Sequence, residues 1–162
     1  MNRTHIETFS YQLSPQYYFN RLLKIWLHNN WGWLLSFFLL LVGLSIQNTL
    51  FIYVGLIILF LVFPMIISYL WFAYALHPDC RMSILSKTVE INKNGLSCTF
   101  DDGRTESIAW KRITHIRYTS TDIIFHLSNY IFFILPYNSF KSNDDLEYFL
   151  KNFLALNIQN KK

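Results

Sequence analysis

The side chains of this chain that could do chemistry are five histidines, two cysteines, one acidic pair and one basic cluster. The histidines are His5, His28, His77, His115 and His126, and no two of them share a metal-ligand spacing with a cysteine or a carboxylate pair. Cys80 and Cys98 form neither a C-x-x-C nor a zinc motif, which points to reduced, structural thiols. Asp101-Asp102 has the composition of a cation or acid–base site, but Gly103 follows directly, so the pair reads as a turn between strands. Lys111, Arg112, His115 and Arg117 crowd four basic side chains into one segment after Trp110. That cluster is suited to phospholipid headgroups or an acidic partner segment, and its plainer reading is a solvated strand end. Trp110 itself reads as core, because it continues the face of Glu106 and Ile108. There is no phosphate-cradling glycine loop, nucleophile elbow or kinase signature. The residues therefore imply no catalytic group, no metal and no cofactor: a binding or structural protein rather than an enzyme.

What must carry such a site is set by an uneven charge distribution. Of 162 residues 52% are apolar and only 15% charged, against about 25% in an ordinary soluble protein. From Ile25 to Pro78 there is no Asp, Glu, Lys or Arg. Within that gap Trp31 to Ile46 is one apolar run and Leu50 to Leu76 a second, divided at Gln47-Asn48-Thr49. A single helix over both would reach roughly 70 Å, more than twice the ~30 Å hydrocarbon layer, so the pattern predicts two crossings and a tight hairpin. The second run holds seventeen Leu, Ile, Phe and Val residues. At about −0.3 to −0.6 kcal/mol each they favour insertion by roughly 5–10 kcal/mol. Its length implies tilt, a kink at Pro64, or an extension beyond the membrane.

Both ends of a hairpin lie on one side. Arg21 and Lys24 precede the first run, Arg81 and Lys87 follow the second, and the tip carries no charge, so the positive-inside rule expects both termini in the cytoplasm. Trp26, Trp31, Trp33, Trp71 and Tyr74 suit either the headgroup boundary or helix–helix packing. About thirty residues precede the first run and no cleavage motif follows it, which argues against a secretory leader. Ser14-Pro15 is a helix start, and Gln16 to Asn30 reads as an interfacial helix; the alternative is that it extends the membrane helix. Thr8 to Leu13 alternates as a strand that could pair with a downstream sheet.

From about Ser86 the period changes to two. Val89 and Ile91, then Leu96, Cys98 and Phe100, flank the hairpin signal Asn94-Gly95. Asp101-Asp102-Gly103 turns into a strand with Ile108, and Ile123, Phe125 and Leu127 form another. Ser128-Asn129 is a turn candidate, and Tyr130 to Leu135 is one more strand, ended by Pro136. Ser142 then caps a helix with Asp144 and Asp145 in its first turn and Leu146, Phe149, Leu150, Phe153 and Leu154 along one stripe. The fold class is thus a membrane α-helical hairpin plus an α+β domain, an antiparallel sheet closed by a C-terminal amphipathic helix, as in pleckstrin-homology-like domains. The divisions expected are a strand and interfacial helix over 1–30, membrane helices over 31–76 (about 31–46 and 50–76), a cytosolic domain over 84–156 and a polar tail over 157–162. Met82 to Lys162 carries ten basic against eight acidic residues, too small a surplus for a nucleic-acid partner.

Several short features together are similar to one family. Phe9-Ser-Tyr-Gln-Leu13, the hairpin at Gln47 to Thr49 and Val89-x-Ile91 before Asn94-Gly95-Leu96 come first. Ser107-Ile108-x-Trp110-x-x-Ile113, Ile134-Leu135-Pro136 and Phe140 follow in order. By that order the chain resembles the YcxB-like membrane proteins of bacteria over nearly its whole length. The resemblance implies two adjacent membrane helices and a cytosolic pleckstrin-homology-like domain at the inner membrane, and it implies no reaction. Two functions fit: a membrane-anchored module that binds a protein partner or anionic phospholipid headgroups, or an immunity protein that guards the membrane against a bacteriocin or toxin.

Overall fold

The structure, a computed structural model, describes residues 5–75 and 77–153. They form two compact units: the described residues of 15–77, and those of 1–14 together with 78–162. The expected span end Leu76, the stripe residue Leu154 and the tail 157–162 lie outside the described residues.

The first of these units is a helical hairpin. Helix α1 runs unbroken from Pro15 to Gln47, 33 residues. At about 1.5 Å per residue it is roughly 50 Å long, well beyond the ~30 Å apolar layer. Gln16 to Asn30 is therefore the first part of this one helix rather than a separate element. A tight turn follows, and the Asn48 side chain closes it by accepting from the Leu50 amide at 2.9 Å. The return consists of α2 (Leu50–Ile57), a π-helical segment (Ile58–Val62) and α3 (Phe63–Ala75). Proline explains the π segment. Pro64 has no N–H to give back to Phe60, and its ring crowds the preceding turn. The Phe63 amide accordingly bonds to Ile58, five residues back.

Both helices, Pro15–Gln47 and Leu50–Tyr74, are long and apolar enough to cross a membrane. In α1 two serine hydroxyls are bonded back to their own helix: Ser36 Oγ donates to Gly32 O at 2.9 Å and Ser45 Oγ to Leu41 O at 2.7 Å. Phe60 is 74% exposed and Tyr69 70%. Of the aromatic residues, Trp71 serves helix–helix packing, meeting Phe19 edge-on at 4.8 Å across the hairpin, whereas Trp33 is 74% exposed and stacks on Phe37 of its own helix.

The other unit is a seven-stranded antiparallel domain. Strand β1 (His5–Glu7) comes from before the hairpin and pairs with β2 (Lys87–Asn92), which follows it. The expected strand over Thr8 to Leu13 is thus displaced toward the N-terminus, and that stretch makes only isolated bridges, Thr8 to Phe140 and Tyr11 to Lys87. Strands β3 (Gly95–Phe100) and β4 (Thr105–Ala109) complete a sheet of order β1-β2-β3-β4. Strands β5 (His115–Tyr118), β6 (Asp122–His126) and β7 (Phe132–Pro136) form a second sheet. A short helix α4 (Pro78–Ile84) packs on β7, where Ser83 Oγ donates to Phe132 O at 2.9 Å. Helix α5 (Asn143–Tyr148) continues as a π turn (Phe149–Phe153).

One core joins these parts. Ile6, Val89, Ile91, Leu96 and Ile108 from the first sheet meet Ile123, Phe125, Phe133 and Leu135 from the second, with Phe149 laid across them. Trp110 belongs to this packing, near Phe125 and Phe149, with its indole N–H donated to Asn92 O at 2.9 Å. It does so from a 3-10 turn (Trp110–Arg112) rather than from a strand.

The turns follow side-chain chemistry. The Asn94-Gly95 hairpin forms, but its two turn residues are Lys93 and Asn94, since Asn92 pairs with Gly95. The Asn92 carboxamide accepts from the Asn94 and Gly95 amides, and so supplies the turn that a left-handed Asn94 would otherwise have made. Gly95 is required for another reason: a Cβ there would overlap the Ile108 carbonyl oxygen and come within 2.9 Å of Ala109 Cα. Gly103, at φ 81°, takes the left-handed position of the next turn. Ser142 caps α5, accepting from the Asp145 amide at 3.1 Å.

Candidate functional site

The basic segment is split by the fold. Lys111 and Arg112 sit exposed on the 3-10 turn, while His115 and Arg117 stand exposed on one face of β5. Strand β5 was not legible as a strand; its alternation, His115-Ile116-Arg117-Tyr118, puts only Ile116 and Tyr118 on the apolar side. Register adds a residue that the sequence did not connect to the cluster. His115 pairs with His126 of β6, and their ring centroids lie 5.8 Å apart. The start of β5 is pinned there, because the Thr114 amide and hydroxyl both donate to His126 O, at 2.7 and 3.0 Å.

His126 is half-buried and rests against Phe132, 5.9 Å between ring centroids. Burial, then the charges of His115 and Arg117, hold its imidazole below the ordinary histidine range. Asp122, on the same face of β6, accepts from the hydroxyls of Thr119 and Thr121 at 3.2 and 3.0 Å. The ion pairs of Arg104 with Asp102, Lys141 with Glu7 and Lys151 with Glu147 lie elsewhere in this unit.

The Asp101-Asp102 pair does serve a turn. Asp102 accepts from the Arg104 amide at 3.1 Å and from its guanidinium at 2.7 Å, which keeps its carboxyl below the usual range. Among the described residues no group of three or more His, Cys, Asp and Glu side chains could hold a metal ion. Both cysteines are buried. In the hairpin, a cleft of about 440 Å³ between α1 and α2 is lined by apolar groups such as Phe37, Leu41, Ile52 and Leu56, and the Ser45 hydroxyl on its wall is already bonded within α1.

A second feature escaped sequence reasoning. Lys87, counted above with the charges that flank the membrane, is fully buried at the start of β2. Its ammonium donates to Ser83 O and Leu85 O, at 2.9 and 3.0 Å, and lies 4.5 Å from the Tyr11 ring centroid and 5.5 Å from that of Phe133. The backbone of Tyr11 bonds to Lys87 on both sides, and the Tyr11 hydroxyl donates to Ile134 O at 3.1 Å. Lys87 thus ties the end of α4 to the segment that precedes α1. Burial pushes its pKa down to about 8, and burial likewise drives the Cys98 thiol up to about 12 and Tyr11 well above its ordinary range. No sequence signal marks a lysine at the head of a strand as interior, since the partners are backbone carbonyls.

No curated protein and no solved structure matches the chain. The match to a family is narrower than the whole-length resemblance suggested and leaves out the hairpin, β1 and Lys87. The family model described as YcxB-like protein matches residues 91–153, so from within β2 to the end of the described residues this chain is similar to the YcxB-like proteins.

Proposed function

We propose that this protein is a membrane-anchored, non-enzymatic binding module. In this reading a pleckstrin-homology-like domain holds a protein or lipid partner at the bacterial cytoplasmic membrane, with both termini in the cytoplasm. The observation that carries the reading is the pairing of β1 with β2 across the hairpin. The chain leaves the domain at Ser14, passes through two helices long enough to span a bilayer, and returns at Pro78. The domain is joined to the hairpin directly at both boundaries, so a domain built this way stays with the membrane.

Support for a pleckstrin-homology-like domain comes from the four- and three-stranded meanders, closed by a C-terminal helix. Support for the cytoplasmic side now rests on Arg21, Lys24 and Arg81, because Lys87 is enclosed in the domain. Support for a binding role comes from where the polar atoms go. The interior Lys87 and Tyr11 spend their donors on backbone carbonyls, while Lys111, His115 and Arg117 are presented to solvent.

Two measurements test this. After cell lysis the untagged chain should remain with membranes through high-salt and alkaline washes and require detergent for release; recovery in the aqueous fraction would end the anchoring claim. Photo-crosslinking residues placed at Lys111, Thr114 and Tyr118 should give a defined adduct in membranes. Absence of any adduct at all three positions would end the binding claim.

A further inference from the structure

We propose that His115, His126 and Arg117 form a subsite for the phosphate of an acidic phospholipid, an inference that deepens the binding-module reading and rests on it. The antiparallel register sets the two imidazoles directly opposite each other, 5.8 Å between centroids, with Arg117 two residues along on the same face. Among the described residues Arg117 makes no ion pair, and Asp122, the acid on the same face of β6, is engaged by Thr119 and Thr121. From β7 that face receives Phe132 and Ile134, which carry no charge. Lys111 and Arg112, on the turn leading into β5, add to the positive field.

A cation is the wrong ligand for such a face, because a guanidinium beside two imidazoles repels it. A phosphate diester fits. Its two anionic oxygens accept from the fork of Arg117 and from one N–H of each ring, and the negative charge favours the protonated imidazoles. The lipid, rather than a soluble anion, is indicated by connectivity. The domain is tied into the hairpin at Ser14 and again at Pro78, so headgroup phosphates are always at high local concentration. Burial first, and then the charges of His115 and Arg117, hold the His126 imidazole down, and an anion seated on the cluster would offset the second of these causes.

The test uses the full-length protein in nanodiscs of phosphatidylcholine alone or phosphatidylcholine with phosphatidylglycerol, following the imidazole titrations by NMR. A negative surface raises every nearby imidazole, so exposed His5 on β1 serves as the internal reference. The expected result is that phosphatidylglycerol lifts the midpoints of His115 and His126 by about one unit more than that of His5. Arg117→Gln should remove most of the excess while leaving the fold intact. Equal shifts at all three histidines, or an excess that survives Arg117→Gln, would overturn the subsite. If inorganic phosphate at low millimolar concentration gives the full excess over phosphatidylcholine, the ligand is a free anion and the lipid assignment falls. A phosphopeptide that gives the excess where phosphatidylglycerol gives none would assign the face to a protein partner instead. A chain that enters neither disc would bring down the anchored reading, and the subsite with it.

Discussion

Phe60 and Phe125 are the same side chain under opposite rules. Phe60, in the π segment of the hairpin, is 74% exposed, and Phe125, in β6, is fully buried among Phe133, Phe149 and Trp110. Around Phe60 and along much of the hairpin the apolar surface points outward, and any neighbour of hydrocarbon character satisfies it, while Tyr18, Leu22 and Leu70 are buried. In the sheet domain each ring has a particular place, because the interior is close-packed and a missing group leaves a void. Composition is therefore enough at the exposed positions of the hairpin, whereas the domain needs register. An exposed hairpin residue such as Phe60 can be exchanged for another apolar one with little consequence, and a domain core residue cannot.

The sharpest way to break that comparison is to cut both rings back. Phe125→Ala should destabilise the domain by about 3–5 kcal/mol, the usual loss for a buried aromatic. Phe60→Ala should change stability and membrane retention by less than about 1 kcal/mol. Pulse proteolysis in detergent at increasing urea reads both, and equal effects would mean the hairpin is packed against something as specific as the domain core.

Next in size is the buried ammonium. Lys87→Ala removes two carbonyl partners and empties the space under two rings, so a loss of about 2–4 kcal/mol is expected. A smaller loss of about 1–3 kcal/mol is expected for Gly95→Ala, since the added methyl must displace the β4 backbone. Ser142→Ala should take about 1 kcal/mol from the domain by uncapping α5. The same proteolysis series orders all three.

The smallest effect is a pH dependence, and its sign is particular. In the folded chain Lys87 gives up its proton near pH 8, while in the unfolded chain it holds it to about 10.5. Between these values the unfolded state binds more protons, so stability rises with pH, by about 1 kcal/mol between pH 8 and 9. Over the same range the unfolded thiol of Cys98, ordinarily near 9.0, ionises while the folded one holds its proton to about 12, an opposite contribution that flattens the rise as pH passes 9. Lys87→Met should abolish the rise below pH 9, and an unchanged slope would show that this ammonium is solvated after all.

Much of this molecule was legible in order along the chain. The charge-free stretch from Ile25 to Pro78, its division at Gln47-Asn48-Thr49, the Ser142 cap and the turn role of Asp101-Asp102 all follow from local chemistry. A kink at Pro64 is one of three readings of the long second run, and what the structure has there is the π segment just before it. The errors were errors of partnership. Alternation is visible at Thr8 to Leu13 and points to a strand there, but β1 is fixed at His5–Glu7 by pairing with β2, more than eighty residues away. Strand β5 was read only as basic residues, because its polar face hides a two-residue period.

The sequence by itself determined where the chain is apolar without interruption, where its periods change, and where its turns and caps fall, since each depends on residues close together in the chain. Only the tertiary structure decided that Lys87 is interior, that Gly95 must let Ile108 approach, and that His126 joins His115 and Arg117. Those three are contacts between distant segments, and the physical reason they could not be read is that their partners are backbone atoms or a register, neither of which leaves a mark in residue type.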